Sequence, residues 1–201
     1  GYLEGTSIGN LLLLSFTKLF NSFEKAVDVA GKILNVKGKV LPVTDANVDI
    51  CAKYETGEIV EGELNIRENR TVNSPIAEVF LKPKENVKAL PQVIEEIENA
   101  DMIVISPGRL YTSIITNFLV DGVADAIRNS RAKKVFVCNT MTEPNVTDKY
   151  NVSDFVKVLE RYLGKNVLNY VIANTSYPDK EVLNGFAEKF NVNMVGIYKE
   201  N

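Results

Sequence analysis

The segment MIVISPGRLYTS, residues 102–113, determines which class of fold the chain can adopt. Residues 102–106 are apolar up to the terminal serine and have the length of a buried strand. Pro107 and Gly108 interrupt this pattern, and apolar residues return at helical spacing from Ile114 onward. A strand, a tight turn and a helix start in succession form the basic unit of a parallel α/β sheet.

The same unit repeats through the carboxyl-terminal half of the chain. Helical segments alternate with short apolar runs, an order that favours a parallel sheet with right-handed crossovers and helices on both faces. The predicted helices cover 90–99, 112–129, 153–163 and 180–190, and the predicted strands cover 102–106, 135–138, 170–173 and 194–198. We therefore predict an α/β fold, a Rossmann-like three-layer sandwich with a mostly parallel sheet and helices around it.

Two helices precede this region. Apolar spacing predicts them over 8–20 and 23–34. Asn21 and Glu24 have the spacing of a capping box, which would start the second helix at Asn21.

A β-rich insert separates these helices from the α/β units. Between 39 and 82 the apolar period changes to two, and Thr56-Gly57 is a turn signal between alternating segments. This pattern predicts an insert of hairpin type. We treat residues 1–201 as a single domain that contains it.

The composition argues against several classes of function. A net charge of -3 argues against a broad nucleic-acid-binding face. Histidine is absent, which removes Ser-His-Asp and Cys-His catalysis, and Cys51 and Cys138 lack the spacing of a zinc site. The apolar run 11–14 is too short for a membrane span and lacks the features of a signal peptide. We expect a reduced, cytoplasmic protein without nucleic-acid or membrane partners.

The turn after the first strand of the α/β region is the first candidate binding site. Ligands of parallel sheets bind beyond the carboxyl ends of the strands, and free backbone amides at a helix start attract phosphate. Thr112 and Ser113 would add hydroxyl groups there, and Arg109 would add a bidentate contact to the same anion. A capped turn that binds nothing has the same sequence features, so both interpretations stay open.

The polar loop CNTMTEPNVTD, residues 138–148, follows the next strand and is the second candidate. The Asn139 amide could bind a base or a sugar, and Asp148 could accept hydroxyls or hold a metal ion. Glu143 and Asp148 are too few to define a metal site. A loop rich in Thr, Asn and Pro is also typical of an ordinary turn.

The segment GTSIGN, residues 5–10, precedes a strongly apolar helix and is the third candidate. Its amides, around Gly9 and Asn10, could face an anion. The alternative is a plain N-cap in which Gly9 allows close helix packing.

In this order the three segments resemble motifs of the YvcK/CofD-like family. GTSIGN is similar to the family's GHSLGN, SPGRLYTS to its GPGSLYTS, and CNTMTEPNVTDKYNVSDF to its CNxMTQPGETDGYSASDH. The chain has Arg109 where the family has a small residue, Lys149 in place of a glycine and Phe155 in place of a histidine. The family's first strand and GGGTG loop have no counterpart here. We therefore expect the residues to be the carboxyl-terminal part of a longer protein, or a chain that has lost its amino-terminal part.

Resemblance to the YvcK branch implies a non-catalytic regulatory protein that binds UDP-N-acetylglucosamine or a similar nucleotide-sugar. It also implies an influence on cell shape and on growth with gluconeogenic carbon sources. The alternative CofD branch implies a transferase of a phospholactyl group in deazaflavin coenzyme synthesis. No cofactor is required by the residues, although magnesium held by Asp148 is compatible with them, and a homo-oligomer stays open. The candidate ligand-binding residues are Gly9, Asn10, Pro107, Gly108, Arg109, Tyr111, Thr112, Ser113, Asn139, Thr142 and Asp148.

Overall fold

A computed structural model describes residues 6–68 and 72–197. Gly5 of the third candidate segment and Tyr198 of the last predicted strand lie outside the described residues. The α-helices are α1 (Ile8–Phe20), α2 (Phe23–Ile33), α3 (Glu63–Glu68), α4 (Pro91–Asn99), α5 (Thr116–Phe118), α6 (Val123–Asn129), α7 (Val152–Leu163) and α8 (Lys180–Phe190). The strands are β1 (Asp49–Tyr54), β2 (Ile59–Glu61), β3 (Ile76–Lys82), β4 (Met102–Ile105), β5 (Lys133–Val137) and β6 (Tyr170–Ile172). A π-helix spans Leu110–Ile115.

The two amino-terminal helices form where the apolar spacing predicts them, and each begins at a serine. The Ser7 hydroxyl accepts a hydrogen bond from the backbone N–H of Asn10, and the Ser22 hydroxyl accepts one from that of Lys25. The capping box predicted at Asn21 is wrong. Asn21 instead ends α1 in a left-handed conformation with φ of 49°, a position that asparagine tolerates better than most residues.

The insert is an antiparallel sheet with the strand order β2-β1-β3. Thr56 and Gly57 turn the chain between β1 and β2, and Gly57 has a φ of 90° that glycine adopts without strain. The β-rich character of the insert is thereby confirmed. Nothing in the periodicity predicts the short helix α3, which follows β2 and buries Ile66.

The carboxyl-terminal half forms a parallel sheet with the order β4-β5-β6. Each strand lies beside the next one along the chain, because helices carry the chain back to the start of the following strand. The predicted strand at 194–198 is wrong within its described part. That segment pairs with the loop after β5 and not with the sheet, through isolated bridges of Met194 with Met141 and of Gly196 with Asn151.

Helix α7 packs against both sheets. Phe155 lies with its ring centroid 6.5 Å from that of Phe136 in β5, and both rings are fully buried. Further along the helix, the Tyr162 hydroxyl accepts a hydrogen bond from the N–H of Val79 in β3. Side chains from both sheets and from the helices belong to one hydrophobic core. The predicted α/β sandwich with a parallel sheet is confirmed.

One face of the parallel sheet is exposed at its two outer strands, within the part of the chain that the structure describes. Met102 and Val104 in β4 and Tyr170 and Ile172 in β6 are each more than half exposed. The strand register places these four side chains on one face, because side chains alternate along each strand. Helices on both faces were expected from the alternating pattern, but the described helices leave this part of the sheet uncovered.

The described residues also bear on the membrane and on the cysteines. No helix within 6–68 and 72–197 is long and apolar enough to cross a membrane. Cys51 and Cys138 are buried free thiols. Burial raises the pKa of Cys138 to about 11, so this residue remains a thiol at neutral pH and is a poor nucleophile.

Candidate functional site

The loops after β4 and β5 are joined through the side chain of Asn139. Its Nδ2 donates to the carbonyl oxygen of Gly108 at 2.8 Å, and its Oδ1 accepts from the Gly108 N–H at 3.3 Å. The first and second candidate segments therefore meet at the carboxyl edge of the parallel sheet, where such folds bind ligands. Because the amide pairs with Gly108, only part of its hydrogen-bonding capacity remains for a base or a sugar.

A π-helix follows Gly108 in place of an ordinary helix start. The carbonyl oxygen of Arg109 accepts hydrogen bonds from the N–H groups of Ser113 at 2.9 Å and Ile114 at 3.0 Å. The second of these bonds spans five residues and widens the turn. Such turns are rare and are often found at functional sites.

Two predicted ligand contacts in this helix have their hydroxyl groups inside the protein. Tyr111 is 1% exposed, and its hydroxyl oxygen lies 2.9 Å from that of Tyr150. Burial, followed by the hydrogen bond with Tyr150, raises the pKa of Tyr111. The Thr112 Oγ1 atom is shielded from solvent and has no hydrogen-bond partner among the described residues. In this conformation neither hydroxyl faces an external ligand, so both residues shape the turn.

The loop after β5 has its own network of hydrogen bonds. Thr147 Oγ1 accepts from the N–H of Glu143, and the Asp148 carboxylate accepts from that of Asn145, each at 2.7 Å. Asn145 and Lys149 adopt left-handed conformations with φ of 62° and 64°. Asp148 is thus an exposed carboxylate that caps a turn of this loop.

The segment after α8 holds the same loop from its other side. The N–H of Thr142 donates to the Asn193 carbonyl oxygen at 2.8 Å, and the N–H of Asn193 donates to Thr142 Oγ1 at 2.9 Å. The N–H of Val195 donates to the Thr140 carbonyl oxygen at 3.0 Å. Thr142 is 4% exposed, so its hydroxyl is engaged within the protein and is not available to a ligand in this conformation.

A cleft of about 580 Å³ lies beside the two joined loops. Four parts of the chain line it: α3, the loop after β4, the loop after β5 and the carboxyl end of α8. The lining residues are Arg67, Glu68, Arg109, Glu143, Pro144, Asn145, Phe190 and Asn191. The cleft combines two guanidinium groups, two carboxylates and an aromatic ring.

Arg109 and Glu143 form an ion pair between the two loops. The Arg109 Nη1 donates to Glu143 Oε1 at 2.7 Å, and the Glu143 side chain is 20% exposed. Burial raises the pKa of Glu143, while the charges of Arg109 and Arg67 oppose that rise. Arg67 itself donates to Glu68 at 2.9 Å. Arg109, predicted to bind an anion, therefore has an anionic partner within the protein.

The remaining predicted residues lie in exposed or separate positions. Pro107, in the loop after β4, and Ser113, in the π-helix, are both exposed. Gly9 and Asn10 are exposed in the first turn of α1, where the Asn10 N–H is held by the N-cap. Within residues 6–68 and 72–197, no hydrogen bond or ion pair joins this turn to the two loops. The third candidate segment is thus not connected to the cleft by any polar contact that the structure describes.

The described residues contain no group of three or more His, Cys, Asp or Glu side chains that could hold a metal ion. Asp148 could supply one carboxylate next to the cleft. Protein sites for magnesium often consist of one or two carboxylates together with substrate phosphates. Magnesium therefore stays a prediction that depends on a phosphate ligand.

Sequence reasoning did not place Arg67 or Phe190 in the site. Arg67 lies on α3, far along the chain from either loop, and Phe190 is the last residue of a helix with no buried side chain. No motif or spacing marks either residue. Only the folding of the insert and of the segment after α8 against the loops makes them neighbours.

Together these features define an α/β protein with a charged cleft at the carboxyl ends of a parallel sheet. The sequence model of the family described as "2-phospho-L-lactate transferase CofD" matches residues 1–196. The chain belongs to this YvcK/CofD-like family.

Similar proteins from bacteria support this assignment. A Thermotoga maritima protein named "Putative gluconeogenesis factor" is 46% identical over 189 residues, which are 94% of this chain and 58% of the relative. The "Gluconeogenesis factor" of Bacillus subtilis is 41% identical over 179 residues, 89% of this chain and 55% of the relative. A crystal structure of a UPF0052 family member from Bacillus halodurans is similar with a TM-score of 0.91 at 36% identity, covering 98% of this chain and 63% of that one. The chain thus spans a little over half the length of these curated relatives.

Proposed function

We propose that this protein is a cytoplasmic regulatory protein that binds a nucleotide-sugar, of the UDP-N-acetylglucosamine type, in the cleft beside Gly108 and Asn139. Through that ligand it would affect carbon metabolism and cell shape or envelope synthesis. The observation that carries the proposal is the meeting of the two candidate loops at Gly108 and Asn139, next to two arginines. The name "Gluconeogenesis factor" of similar proteins supports the regulatory part.

The cleft has the chemistry that a nucleotide diphosphate needs. Arg67 and Arg109 line the cleft, where they pair with Glu68 and Glu143, and a diphosphate would exchange for these carboxylates. Arginine is suited to bind phosphate through two parallel hydrogen bonds. Phe190 is 46% exposed at the cleft and offers a surface on which a base can stack. Asn145 and Asn191 add amides that can bind sugar hydroxyls.

Thermal unfolding with UDP-N-acetylglucosamine tests this proposal. At a ligand concentration about a thousand times the dissociation constant, binding stabilises the folded state by about 4 kcal/mol. We expect a clear rise in the melting temperature for the wild type and a much smaller rise for Arg109→Gln. Arg131→Gln is the matched control, because Arg131 is exposed and precedes β5 at the opposite edge of the sheet. No shift for the wild type at millimolar ligand would reject the proposal.

The second candidate is a transferase of the CofD type, favoured by the name of the family, "2-phospho-L-lactate transferase CofD". Magnesium would enter with the donor's phosphates, and Asp148 would contribute one carboxylate. The assay supplies a guanosine-diphosphate donor of the phospholactyl group together with magnesium. Product formation that is lost in Asp148→Asn would favour this function over binding alone.

The cellular location and the oligomeric state belong to the same proposal. The reduced, buried thiols of Cys51 and Cys138 suit a cytoplasmic location. Homo-oligomer formation stays a prediction, and the molar mass in solution, measured by light scattering after gel filtration, decides it.

A further inference from the structure

The Arg109 guanidinium has a strong anionic partner within the protein. Its ion pair with Glu143 has a length of 2.7 Å and joins the loop after β4 to the loop after β5. Both side chains line the cleft. A ligand phosphate that binds Arg109 therefore meets the Glu143 carboxylate at the same guanidinium.

The surroundings of Glu143 show which charges stabilise its carboxylate at the cleft. Its carboxylate is largely buried, and burial raises its pKa. Arg109 and Arg67 favour the charged form, whereas Glu63 on α3 disfavours it. The carboxylate is thus kept charged in a partly desolvated position mainly by the two arginines that also face the cleft. A phosphate that approached these arginines would weaken what holds the carboxylate.

We propose that Glu143 acts as an internal competitor for anions at Arg109 and thereby sets how tightly the cleft binds phosphate groups. This inference rests on the proposed function, namely that the cleft binds a phosphate-bearing ligand. A phosphate group that binds Arg109 must displace or share the Glu143 carboxylate, so Glu143 lowers the affinity for phosphate and for diphosphate alike. A diphosphate carries more negative charge, so the Glu143 carboxylate repels it at least as strongly.

The test measures binding of inorganic phosphate and inorganic pyrophosphate to the full chain by calorimetry at pH 7. The variant is Glu143→Gln, which keeps the size and the hydrogen-bonding capacity of the side chain but removes its charge. The matched control is Glu63→Gln, because Glu63 is exposed and influences Glu143 electrostatically without contacting Arg109. The double variant Arg109→Gln with Glu143→Gln shows whether any gain depends on Arg109.

We expect Glu143→Gln to bind phosphate at least about tenfold more tightly, equivalent to about 1.4 kcal/mol. Pyrophosphate, which carries more negative charge at pH 7, should gain at least as much. Glu63→Gln should change either affinity by about twofold at most, and the double variant should lose the gain.

The outcomes separate this inference from the proposed function. If the wild type binds pyrophosphate but Glu143→Gln behaves like Glu63→Gln, the competitor role is rejected and the anion site stands. Weaker binding of both anions by Glu143→Gln would show that the ion pair holds the site in shape. That result would reject the competitor role and leave the proposed function standing. If neither the wild type nor any variant binds pyrophosphate at millimolar concentration, the proposed function fails and the inference fails with it.

Discussion

Replacement of Asn139 by alanine tests the contact on which the site depends. The Asn139 amide makes two hydrogen bonds with the backbone of Gly108, at 2.8 Å and 3.3 Å. Alanine removes both and leaves the N–H and the carbonyl oxygen of Gly108, which is half-buried, without those partners. The segments after β4 and β5 would then still be joined by the ion pair of Arg109 with Glu143 and by the hydrogen bond between the hydroxyls of Tyr111 and Tyr150.

The expected loss follows from these two bonds. The shorter one contributes about 1 kcal/mol and the longer one about 0.5 kcal/mol, and leaving Gly108 partly unsatisfied adds about 0.5–1 kcal/mol. We therefore expect Asn139→Ala to lower the free energy of unfolding by about 2 kcal/mol. Asn139→Asp should be at least as destabilising at pH 7, because a carboxylate oxygen would replace the amide donor 2.8 Å from the Gly108 carbonyl oxygen, and the two acceptors repel each other.

Urea unfolding followed by circular dichroism measures this loss, with an unchanged dependence on urea as the sign that the unfolded state is unaffected. Asn47→Ala is the control, because Asn47 is exposed and has no side-chain hydrogen bond among the described residues. A loss below about 0.5 kcal/mol for Asn139→Ala, or one equal to that of the control, would refute the role of Asn139 as the link between the loops.

Three further changes test individual contacts. Lys149→Gly should raise the free energy of unfolding by about 0.5 kcal/mol, because Lys149 has a φ of 64°, and chemical denaturation measures the gain. Thr142→Val removes the hydroxyl that accepts a hydrogen bond from the Asn193 N–H, so amide hydrogen exchange around Asn193 should become faster. Thr142→Ser keeps the hydroxyl and should leave the exchange rate unchanged. The raised pKa of Tyr111 means that folding favours its neutral form, so its contribution to stability is present below the unfolded pKa of about 10 and is lost as pH rises above it. Tyr111→Phe should therefore reduce the decline in stability above pH ~10, measured by urea unfolding at a series of pH values.

The sequence predicts the regular elements well because their patterns are local. The helix predicted over 8–20 has the same bounds in the structure, and the helix at 180–190 does as well. Both have apolar residues at helical spacing and end at an asparagine in a left-handed conformation. Such signals do not depend on distant parts of the chain.

The last predicted strand shows where local patterns fail. Residues 194–197 form a short apolar run of the kind that predicts a strand, but they lie against the loop after β5, where the N–H of Val195 donates to the Thr140 carbonyl oxygen. An apolar run indicates that a segment packs against another part of the chain, but it does not indicate which part. The π-helix at Leu110–Ile115 is a similar case, because its sequence spacing is close to that of an α-helix, and hydrogen bonds that span five residues, such as that of Ile114 with Arg109, distinguish it.

The sequence predicts which loops meet at the candidate site, but it does not predict which side chains there are free to contact a ligand. Topology places the loops of neighbouring parallel strands at one edge, so the meeting of Gly108 and Asn139 follows from the strand order. Whether a polar side chain faces a ligand or the protein depends on its rotamer and on its neighbours. Thr142 and Tyr111 bond within the protein for that reason, while Arg67 joins the cleft from the insert.

The site therefore combines two kinds of residue that experiments can separate. Asn139 and Thr142 bond to backbone groups of other segments, so changing them should lower stability and, by loosening the loops, also binding. Arg109 and Glu143 are partly exposed and pair with each other, so their conservative variants should change the affinity for anions while altering the free energy of unfolding by only about 1 kcal/mol. If Arg109→Gln instead lowered the free energy of unfolding as much as Asn139→Ala, the ion pair would be part of the framework, and Arg109 would not be free to recognise a phosphate.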